Sequence, residues 1–280
     1  MPIVSVVMPV YNPNNYKQLL ESVNSILDQS YQDLELIICD DGSSNEKTRN
    51  YLQRIQALDS RIKIIGYKHN KGAAYSRNQC IKIAKGKFIA FQDDDDISEK
   101  TRLEEEITFL NNNSQYSFVG SNANVFNKNG IWGEYKVPEE PNNNDFLWNS
   151  PFINPTMTFR TDILRNIGGF RVSNETRRGE DYDLFFRLYA AGYRGYNIQK
   201  NLFNYRIEIE EEKNKKYLSM KDRINEAKIR YIGFKRLHIG IKAFPYVIKP
   251  IIVGLIPHKV FYKIRKKNYV NCNNNLNTFV

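Results

Sequence analysis

The 280-residue sequence predicts an α/β protein with a mostly parallel, Rossmann-like central sheet and helices on both of its faces. Two patterns lead to this prediction. Apolar, β-branched segments alternate with segments whose apolar residues recur at helical spacing. Each apolar segment also ends at a polar turn, as strands buried on both faces of a parallel sheet do. In such sheets ligands bind beyond the carboxyl ends of the strands, so the polar turns are the place to look for function.

The individual elements follow from these patterns. The predicted strands are Ile3–Val10, Leu34–Cys39, Ile62–Tyr67 and Phe88–Gln92, and the predicted helices are Tyr16–Gln29, a segment ending at Leu58, and Ala73–Ala84. Another helix is predicted to begin at Ser98-Glu99, because Leu103, Ile107 and Leu110 follow at helical spacing. Residues 116–170 read as mixed strands and loops. Three helical segments, about 215–238, 240–249 and 251–266, are predicted in the tail, separated by Pro245, Pro250 and Pro257.

Charge divides the chain. Residues 1–210 hold 25 Lys and Arg against 27 Asp and Glu, whereas residues 211–280 hold 16 against 4, so the tail carries the whole net charge of +10. We therefore expect the last quarter of the chain, residues 211–280, to form a separate basic helical tail. Three Cys without metal-type spacing indicate reduced thiols in a cytosolic protein. The sequence contains neither a signal-peptide pattern nor an apolar run of the roughly 20 residues that cross a bilayer.

Polar side chains follow three of the predicted strands. Tyr11-Asn12, Asp40-Asp41 and Asp93–Asp96 should therefore converge on one rim of the sheet. Four adjacent carboxylates repel one another, and their hard oxygens suit Mg²⁺ or Mn²⁺ bound together with substrate phosphates. The alternative is a solvated acidic turn whose last Asp caps the next helix. Neither a G-x-G-x-x-G after the first strand nor a G-x-x-x-x-G-K-[ST] motif occurs, which disfavours dinucleotide and P-loop sites.

Five motifs occur in a fixed order along residues 3–207. They are Val4–Asn12, Cys39–Ser44, Asn70-Lys71-Gly72 with Ala74–Asn78, the Asp93–Asp96 cluster, and Gly168-Gly169-Phe170 followed by Gly179–Leu184. In this order they resemble the family 2 glycosyltransferases, which have the GT-A fold. The resemblance implies a nucleotide-sugar-binding part (1–115) and a part that binds the acceptor and supplies the catalytic base (116–210), followed by the basic amphipathic tail (211–280). The tail and the preceding Arg194–Gln199 segment look most like those of bacterial exopolysaccharide or capsule transferases.

The resemblance implies a nucleotide-sugar site. It would contain Pro9, Tyr11, Asn12, Asp40, Asp41, Arg77, Asp93 and Asp94. In it the Tyr11 ring stacks on uracil, Asp40 accepts from the uracil N3–H with Asp41 in support, and Arg77 lies near the diphosphate. The alternatives are a turn aromatic packed on the sheet for Tyr11, an ordinary turn and N-cap for the two Asp, and a surface ion pair for Arg77.

The resemblance also implies a metal site and a catalytic base. Asp95 is expected to be the main metal ligand, with support from Asp93. Asp94, which stands where the family usually has a small residue, is expected to bind ribose, and Asp96 to begin the next helix. Asp181 is expected to be the general base and Glu180 to position the acceptor. The alternative for Glu180, Asp181 and Asp183 is that they interact only with a helix dipole. Arg177 and Arg178 either reach the acceptor or a phosphate, or are solvated.

These expectations combine into one hypothesis. The chain would be a metal-dependent inverting hexosyltransferase that moves a sugar from a UDP-sugar to a hydroxyl of a saccharide, lipid-linked acceptor. It would act at the cytoplasmic face of the cell membrane, held there by its basic tail, and could form a homodimer. The alternative for the tail is a helical cap on the catalytic part. The alternative for the chain is a sugar-nucleotide-binding scaffold of a polysaccharide synthase complex. No nucleic-acid-binding module accompanies the basic charge.

Overall fold

A computed structural model of the protein describes residues 3–208 and 219–256. Its strands are β1 (Val4–Val10), β2 (Leu34–Asp40), β3 (Ile62–Gly66), β4 (Phe88–Phe91), β5 (Ile97–Ser98), β6 (Phe118–Asn127), β7 (Gly130–Tyr135), β8 (Thr158–Arg160) and β9 (Gly195–Arg206). Its helices are α1 (Tyr16–Leu27), α2 (Glu46–Gln56), α3 (Ala73–Ile83), α4 (Arg102–Asn112), α5 (Thr161–Asn166), α6 (Glu180–Ala190), α7 (Met220–Arg236) and α8 (Phe244–Leu255).

One sheet runs through the protein in the order β3-β2-β1-β4-β8-β6-β9-β5, with β7 paired to β6. β1 is parallel to both β2 and β4, and β2 is parallel to β3, as the alternation of strands and helices predicts. β6 and β9 form a second parallel pair, and the short strands β5, β7 and β8 run antiparallel to their neighbours. The sheet is continuous across the predicted boundary at residue 115, and the division of the chain into three parts stays a prediction.

Helices cover both faces of this sheet. Alternate residues of β1 point to opposite faces, so Val6 and Met8 belong to one apolar cluster and Val7 to the other. The first cluster is completed by α1, α2 and α4, and the second by α3, α5, α6 and α7. The strands are apolar on both sides because both of their faces are covered.

The helix predicted from Ser98-Glu99 begins later, at Arg102. Ile97 and Ser98 instead pair with Asn204 and Phe203 of β9, and the Glu99 N–H donates to the Leu202 carbonyl at 3.0 Å. The prediction is wrong because the helical spacing of Leu103, Ile107 and Leu110 says nothing about an edge pairing with residues a hundred positions away. The placement of Asp96 at the start of this helix is wrong for the same reason.

The described part of the tail, residues 219–256, forms the two antiparallel helices α7 and α8, with the short 3-10 turn Ile241–Ala243 between them. α7 packs on α6: a Cβ on Gly233 would lie 2.4 Å from the Phe186 ring, so only glycine permits this approach. The expected break at Pro250 is wrong, since α8 continues through this buried residue. Pro245 lies in the first turn of α8, where its missing N–H costs nothing. Residues 257–266 of the third predicted tail helix, and the basic residues Lys259, Lys263 and Arg265–Lys267, lie outside the described residues.

Candidate active site

The carboxyl ends of β1, β2 and β4 meet at one rim, as predicted. The Asp41 N–H donates to the Val10 carbonyl at 2.8 Å, and the Gln92 N–H donates to the Val7 carbonyl at 3.1 Å. These bonds join the end of β1 to the segments that follow its two neighbouring strands. The three polar turns therefore start side by side.

Asn12 connects the first two turns. Its N–H donates to Ser43 Oγ at 3.0 Å, its Nδ2 donates to Ser44 Oγ at 3.1 Å, and its Oδ1 accepts from Asn45 N at 3.2 Å. The φ of 42° at Asn12 is in the left-handed region, which Asn tolerates better than most residues. Tyr11, just before it, is 48% exposed at this rim, whereas Pro9 is half-buried within β1 opposite Cys39.

Asp40 and Asp41 have different surroundings. Asp40 is half-buried, and its Oδ1 accepts from the Ser43 N–H at 2.9 Å. Asp41 is buried, and its carboxylate accepts four hydrogen bonds of 2.5–2.9 Å, from Tyr67 Oη, Asn70 Nδ2, Lys71 N and Gly72 N. Asp41 therefore orders the loop that leads into α3, and Asp40 is the one of the two that lies nearer to solvent.

Asp93–Asp96 form a tight acidic turn after β4. Asp95 is exposed at its tip, Asp93 and Asp94 are half-buried, and Asp96 is buried. Burial, and then the charges of Asp95 and Asp93, raise the pKa of Asp94 to about 8. The same three influences raise the pKa of Asp96 well above its usual value. The concentrated negative charge of the turn thus disfavours ionisation of Asp94 and Asp96. A bound cation would reduce this repulsion between the carboxylates.

The backbone of the acidic turn is held from two sides. Ser22 Oγ of α1 donates to the Asp93 carbonyl at 2.7 Å, and Gln92 Nε2 donates to the Asp96 carbonyl at 3.0 Å. From the other side, the backbone N–H of Arg206 donates to Asp96 Oδ1 and its Nε donates to the Asp95 carbonyl. The sequence patterns did not identify Arg206 as a site residue. It lies 110 residues from Asp96, at the end of β9, and local patterns do not predict which strands pair with β9.

Arg77 links the acidic turn to the start of α6. It is 6% exposed, its Nη2 lies 2.5 Å from Asp93 Oδ1, and its guanidinium carbon is 5.6 Å from the centre of the Phe170 ring. Burial alone would lower the pKa of the guanidinium, but Asp93, Glu180 and Asp181 outweigh it and raise that pKa. Arg77 therefore forms an ion pair, but a buried one rather than a surface one. Its guanidinium interacts electrostatically both with the acidic turn and with the carboxylates at the start of α6.

The first turn of α6 supplies three carboxylates with different roles. Burial, and then the Glu180 charge, raise the pKa of Asp181 to about 6, although the Tyr182 N–H (2.8 Å from Asp181 Oδ1) and Arg77 act in the opposite direction. One oxygen of Glu180, Oε2, is buried without a hydrogen-bond partner. Asp183 is buried between Arg187 (2.8 Å) and Arg171 (3.2 Å), so its carboxylate has a structural role. Arg177 and Arg178 are exposed just before this helix.

The acidic turn is the only expected metal site. In the two described ranges, 3–208 and 219–256, no three His, Cys, Asp or Glu side chains are arranged as a ready-made metal cage. Mg²⁺ and Mn²⁺ do not need one: such ions commonly use one or two carboxylates and complete their shell with substrate phosphates and water. The exposed Asp95 with Asp93 beside it offers hard oxygen donors of this kind. The residues present therefore fit a divalent cation that arrives with a diphosphate.

Comparison with known proteins identifies the family and the fold of this chain. The family model described as "Glycosyl transferase family 2" matches residues 5–168. EpsE of Bacillus subtilis (strain 168), a putative glycosyltransferase, is 36% identical over 270 residues, which cover 96% of this chain and 95% of that protein. WfaP of Escherichia coli, a UDP-Glc:alpha-D-GlcNAc-diphosphoundecaprenol beta-1,3-glucosyltransferase, is 32% identical over 267 residues (95% and 99% covered).

Two solved structures have the same fold. Residues 1–349 of S. aureus TarS, in complex with UDP-GlcNAc, match with a TM-score of 0.68 at 18% identity, over 97% of this chain and 81% of that one. The mannosyltransferase PcManGT from Pyrobaculum calidifontis, in complex with GDP-Man and Mn²⁺, matches with a TM-score of 0.59 at 18% identity (97% and 72%). From the family match, the two long relatives and these folds it follows that this chain belongs to glycosyl transferase family 2 and is a glycosyltransferase of the GT-A fold.

Proposed function

We propose that this glycosyltransferase moves a sugar from a UDP-sugar to a hydroxyl group of a lipid-linked saccharide, with inversion and with the help of Mn²⁺ or Mg²⁺, in exopolysaccharide or capsule synthesis. One observation carries the proposal. Arg77 is paired with Asp93 of the acidic turn and lies within the electrostatic reach of Glu180 and Asp181. One site would therefore contain both Arg77, which would face the departing diphosphate, and Asp181, which would face the acceptor.

The donor would occupy the rim formed by the first two turns. The exposed ring of Tyr11 is available to stack on uracil, and Asp40 is available to accept from its N3–H. Asn12 and Asp41 would act mainly by holding the two turns in place, since their side chains already bind neighbouring loop residues. Pro9 would set the end of β1. UDP as the nucleotide is supported by the TarS complex and by the donor named for WfaP.

The acidic turn would hold the metal ion. Asp95 would be the main ligand and Asp93 the second, while Asp94 would contact the ribose. A divalent cation bound there would neutralise charge on the leaving nucleoside diphosphate. Arg77 would act beside it: as a buried, fixed cation it already compensates Asp93 and would stabilise the negative charge of the diphosphate without having to reorganise.

Asp181 would take the proton from the acceptor hydroxyl as that oxygen attacks the anomeric carbon. Its pKa of about 6 leaves it ionised at neutral pH and basic enough to accept a proton. Glu180 would position the acceptor through its unpaired Oε2. With one displacement and no covalent intermediate, an α-linked donor gives a β-linked product.

The experiment that tests this proposal measures binding and turnover in the same protein. We expect a UDP-sugar to raise the unfolding temperature only with Mn²⁺ or Mg²⁺ present, and the best binder to be hydrolysed slowly without acceptor. A ligand at about one hundred times its Kd stabilises a protein by about 2.7 kcal/mol, which is easily measured. Asp95→Ala should remove both effects without unfolding the protein. Metal-dependent binding without hydrolysis or transfer would instead favour the scaffold function, and binding that ignores the metal would contradict the proposal.

A membrane surface is the proposed place of action, at the inner face of the cell membrane. Thirteen large apolar side chains are exposed in the described parts of the chain, and seven of them lie in residues 219–256: Met220, Ile224, Tyr231, Ile241, Phe244, Ile252 and Leu255. The same 38 residues hold eight Lys and Arg but only two Asp and Glu. An exposed apolar helix with basic neighbours suits the interface of an anionic bilayer. None of the helices within 3–208 and 219–256 is long and apolar enough to cross one.

A further inference from the structure

Arg206, the last residue of β9, contacts the acidic turn with both its backbone and its side chain. We propose that Arg206 is a positioning residue: it fixes the backbone of the Asp93–Asp96 turn and thereby directs the carboxylates of Asp93 and Asp95 toward the metal ion and the diphosphate. This inference rests on the function proposed above, because it assigns a purpose to the order of that turn.

The first contacts are with the turn itself. The Arg206 N–H donates to Asp96 Oδ1 at 2.7 Å, and its Nε donates to the Asp95 carbonyl at 2.6 Å. Asp96 is the buried member of the cluster, and Asp95 is the exposed one. A single residue of β9 thus holds the tip of the turn and the residue at its base. A peptide plane held at its carbonyl is limited in rotation, so the side chain of Asp95 is limited in direction.

The second contacts fix the guanidinium. Its Nη2 lies 2.9 Å from Glu21 Oε2 of α1, its carbon lies 4.3 Å from the centre of the Phe126 ring of β6, and the side chain is only 9% exposed. The planar guanidinium group can donate in two directions while one face packs on an aromatic ring, and a lysine cannot reproduce this arrangement. Arg206 is therefore anchored on a helix and a strand, which are rigid elements.

α1 holds the turn at its start and at its tip through adjacent residues. Ser22 donates directly to the Asp93 carbonyl at 2.7 Å, whereas Glu21 holds Arg206, which in turn holds the Asp95 carbonyl. The two proposed metal ligands thus have their main-chain carbonyls fixed from one helix, one directly and one through Arg206. Residues that orient metal ligands in this way typically change metal affinity by about 10–100-fold when they are replaced.

The test compares Arg206→Gln with wild type in the full-length protein. The measurement is Mn²⁺ binding in the presence of UDP, followed by calorimetry and by the electron paramagnetic resonance signal of free Mn²⁺. We expect Arg206→Gln to weaken Mn²⁺ binding about tenfold, with UDP binding at saturating Mn²⁺ close to that of wild type. Arg206→Lys should recover little of the loss. Glu21→Gln should give a smaller loss, because both bonds from Arg206 to the turn remain.

Arg61→Gln is the matched control. Arg61 also joins a carboxylate to a helix carbonyl, through Asp59 and Leu27, but does not contact the acidic turn. We expect it to lower stability and leave Mn²⁺ binding unchanged. If Arg206→Gln does not fold, Glu21→Gln and Phe126→Leu carry the same comparison.

The possible failures are distinct. If wild type binds UDP without any dependence on metal, the proposed function is wrong. If wild type needs the metal but Arg206→Gln binds Mn²⁺ as tightly as Arg61→Gln does, Arg206 contributes only to stability and the present inference is overturned.

Discussion

Asp181 carries a carboxyl group whose pKa its surroundings shift in both directions. Burial and Glu180 favour its protonated form, whereas the Tyr182 N–H and Arg77 favour the ionised form. The balance leaves a pKa of about 6, close enough to neutral pH for proton transfer and low enough for the group to be ionised there. The neighbouring Asp183, which is neutralised by two arginines, shows that position in the first turn of a helix does not by itself create such a group.

The first prediction concerns pH. Because the base must be deprotonated, we expect kcat/KM to be constant above the Asp181 pKa of about 6 and to fall about tenfold for each pH unit below it. Glu180→Gln removes a charge that raises this pKa, so the fall should move to lower pH. A pH–rate profile at saturating Mn²⁺ measures both effects.

Two further variants make the pH test specific. Asp181→Asn should abolish the turnover and keep UDP-sugar affinity by calorimetry, whereas Asp183→Asn should lower the unfolding temperature and keep the position of the pH limb. An acid limb that stays in place in Glu180→Gln would mean that another group titrates.

At the scale of the element, the sequence predicted most where local patterns decide the structure. Apolar runs gave β1 to β4 within one or two residues, and the rule for parallel sheets gave the convergence of their polar turns. The sequence did not predict structure that depends on residues far apart along the chain. β5 exists because β9 lies beside it, and Arg206 reaches the acidic turn because β9 ends there. Pro250 was misjudged for another reason, since α8 continues through it although proline lacks the donor of the helical hydrogen bond.

The second prediction separates two adjacent aspartates. Asp41 accepts four hydrogen bonds in a buried position, and an amide offers one oxygen where the carboxylate offers two. We therefore expect Asp41→Asn to lower the free energy of unfolding by about 1–3 kcal/mol, since at least one donor of the loop loses its acceptor. Asp40→Asn should change stability little and weaken UDP binding. Chemical denaturation and calorimetry on both variants check the contrast, and equal losses of stability would contradict it.

At the scale of the whole molecule, the tail packs on α6, the helix that carries the proposed catalytic residues Glu180 and Asp181. α7 packs on α6 through Gly233 and Phe186, which is the kind of contact that a helical cap would make. α8 lies on the outside of α7: Gly254 approaches Met220 and Arg223, and Lys249 lies on the Trp148 ring at 3.4 Å. We therefore propose that the two helices divide the two functions that the sequence analysis offered as alternatives. α7 would stabilise the site, and α8, which exposes Phe244, Ile252 and Leu255, would face the membrane.

The last prediction follows from that outer surface. Phe244, Ile248 and Leu255 are spaced to lie on one side of α8, and Phe244 and Leu255 are 63% and 71% exposed. We expect the full chain to float with vesicles that contain phosphatidylglycerol and to bind neutral phosphatidylcholine vesicles less, with the difference declining as salt rises. Replacing Phe244 and Leu255 by Ser should weaken vesicle binding by about tenfold for each side chain.

Ile131→Ser is the control for these variants, because Ile131 is 63% exposed and belongs to β7 rather than to the tail, and its replacement should not affect flotation. A homodimer that forms without lipid and is lost in the Phe244 and Leu255 variants would show that the surface binds a second copy of the chain instead. If flotation survives both substitutions, the membrane contact is made by the basic residues that follow α8 and not by α8 itself. Transfer assayed on vesicle-bound acceptor then gives the functional consequence: if α8 holds the enzyme at the bilayer, its variants lose activity on a lipid-linked acceptor but retain slow hydrolysis of the dissolved donor.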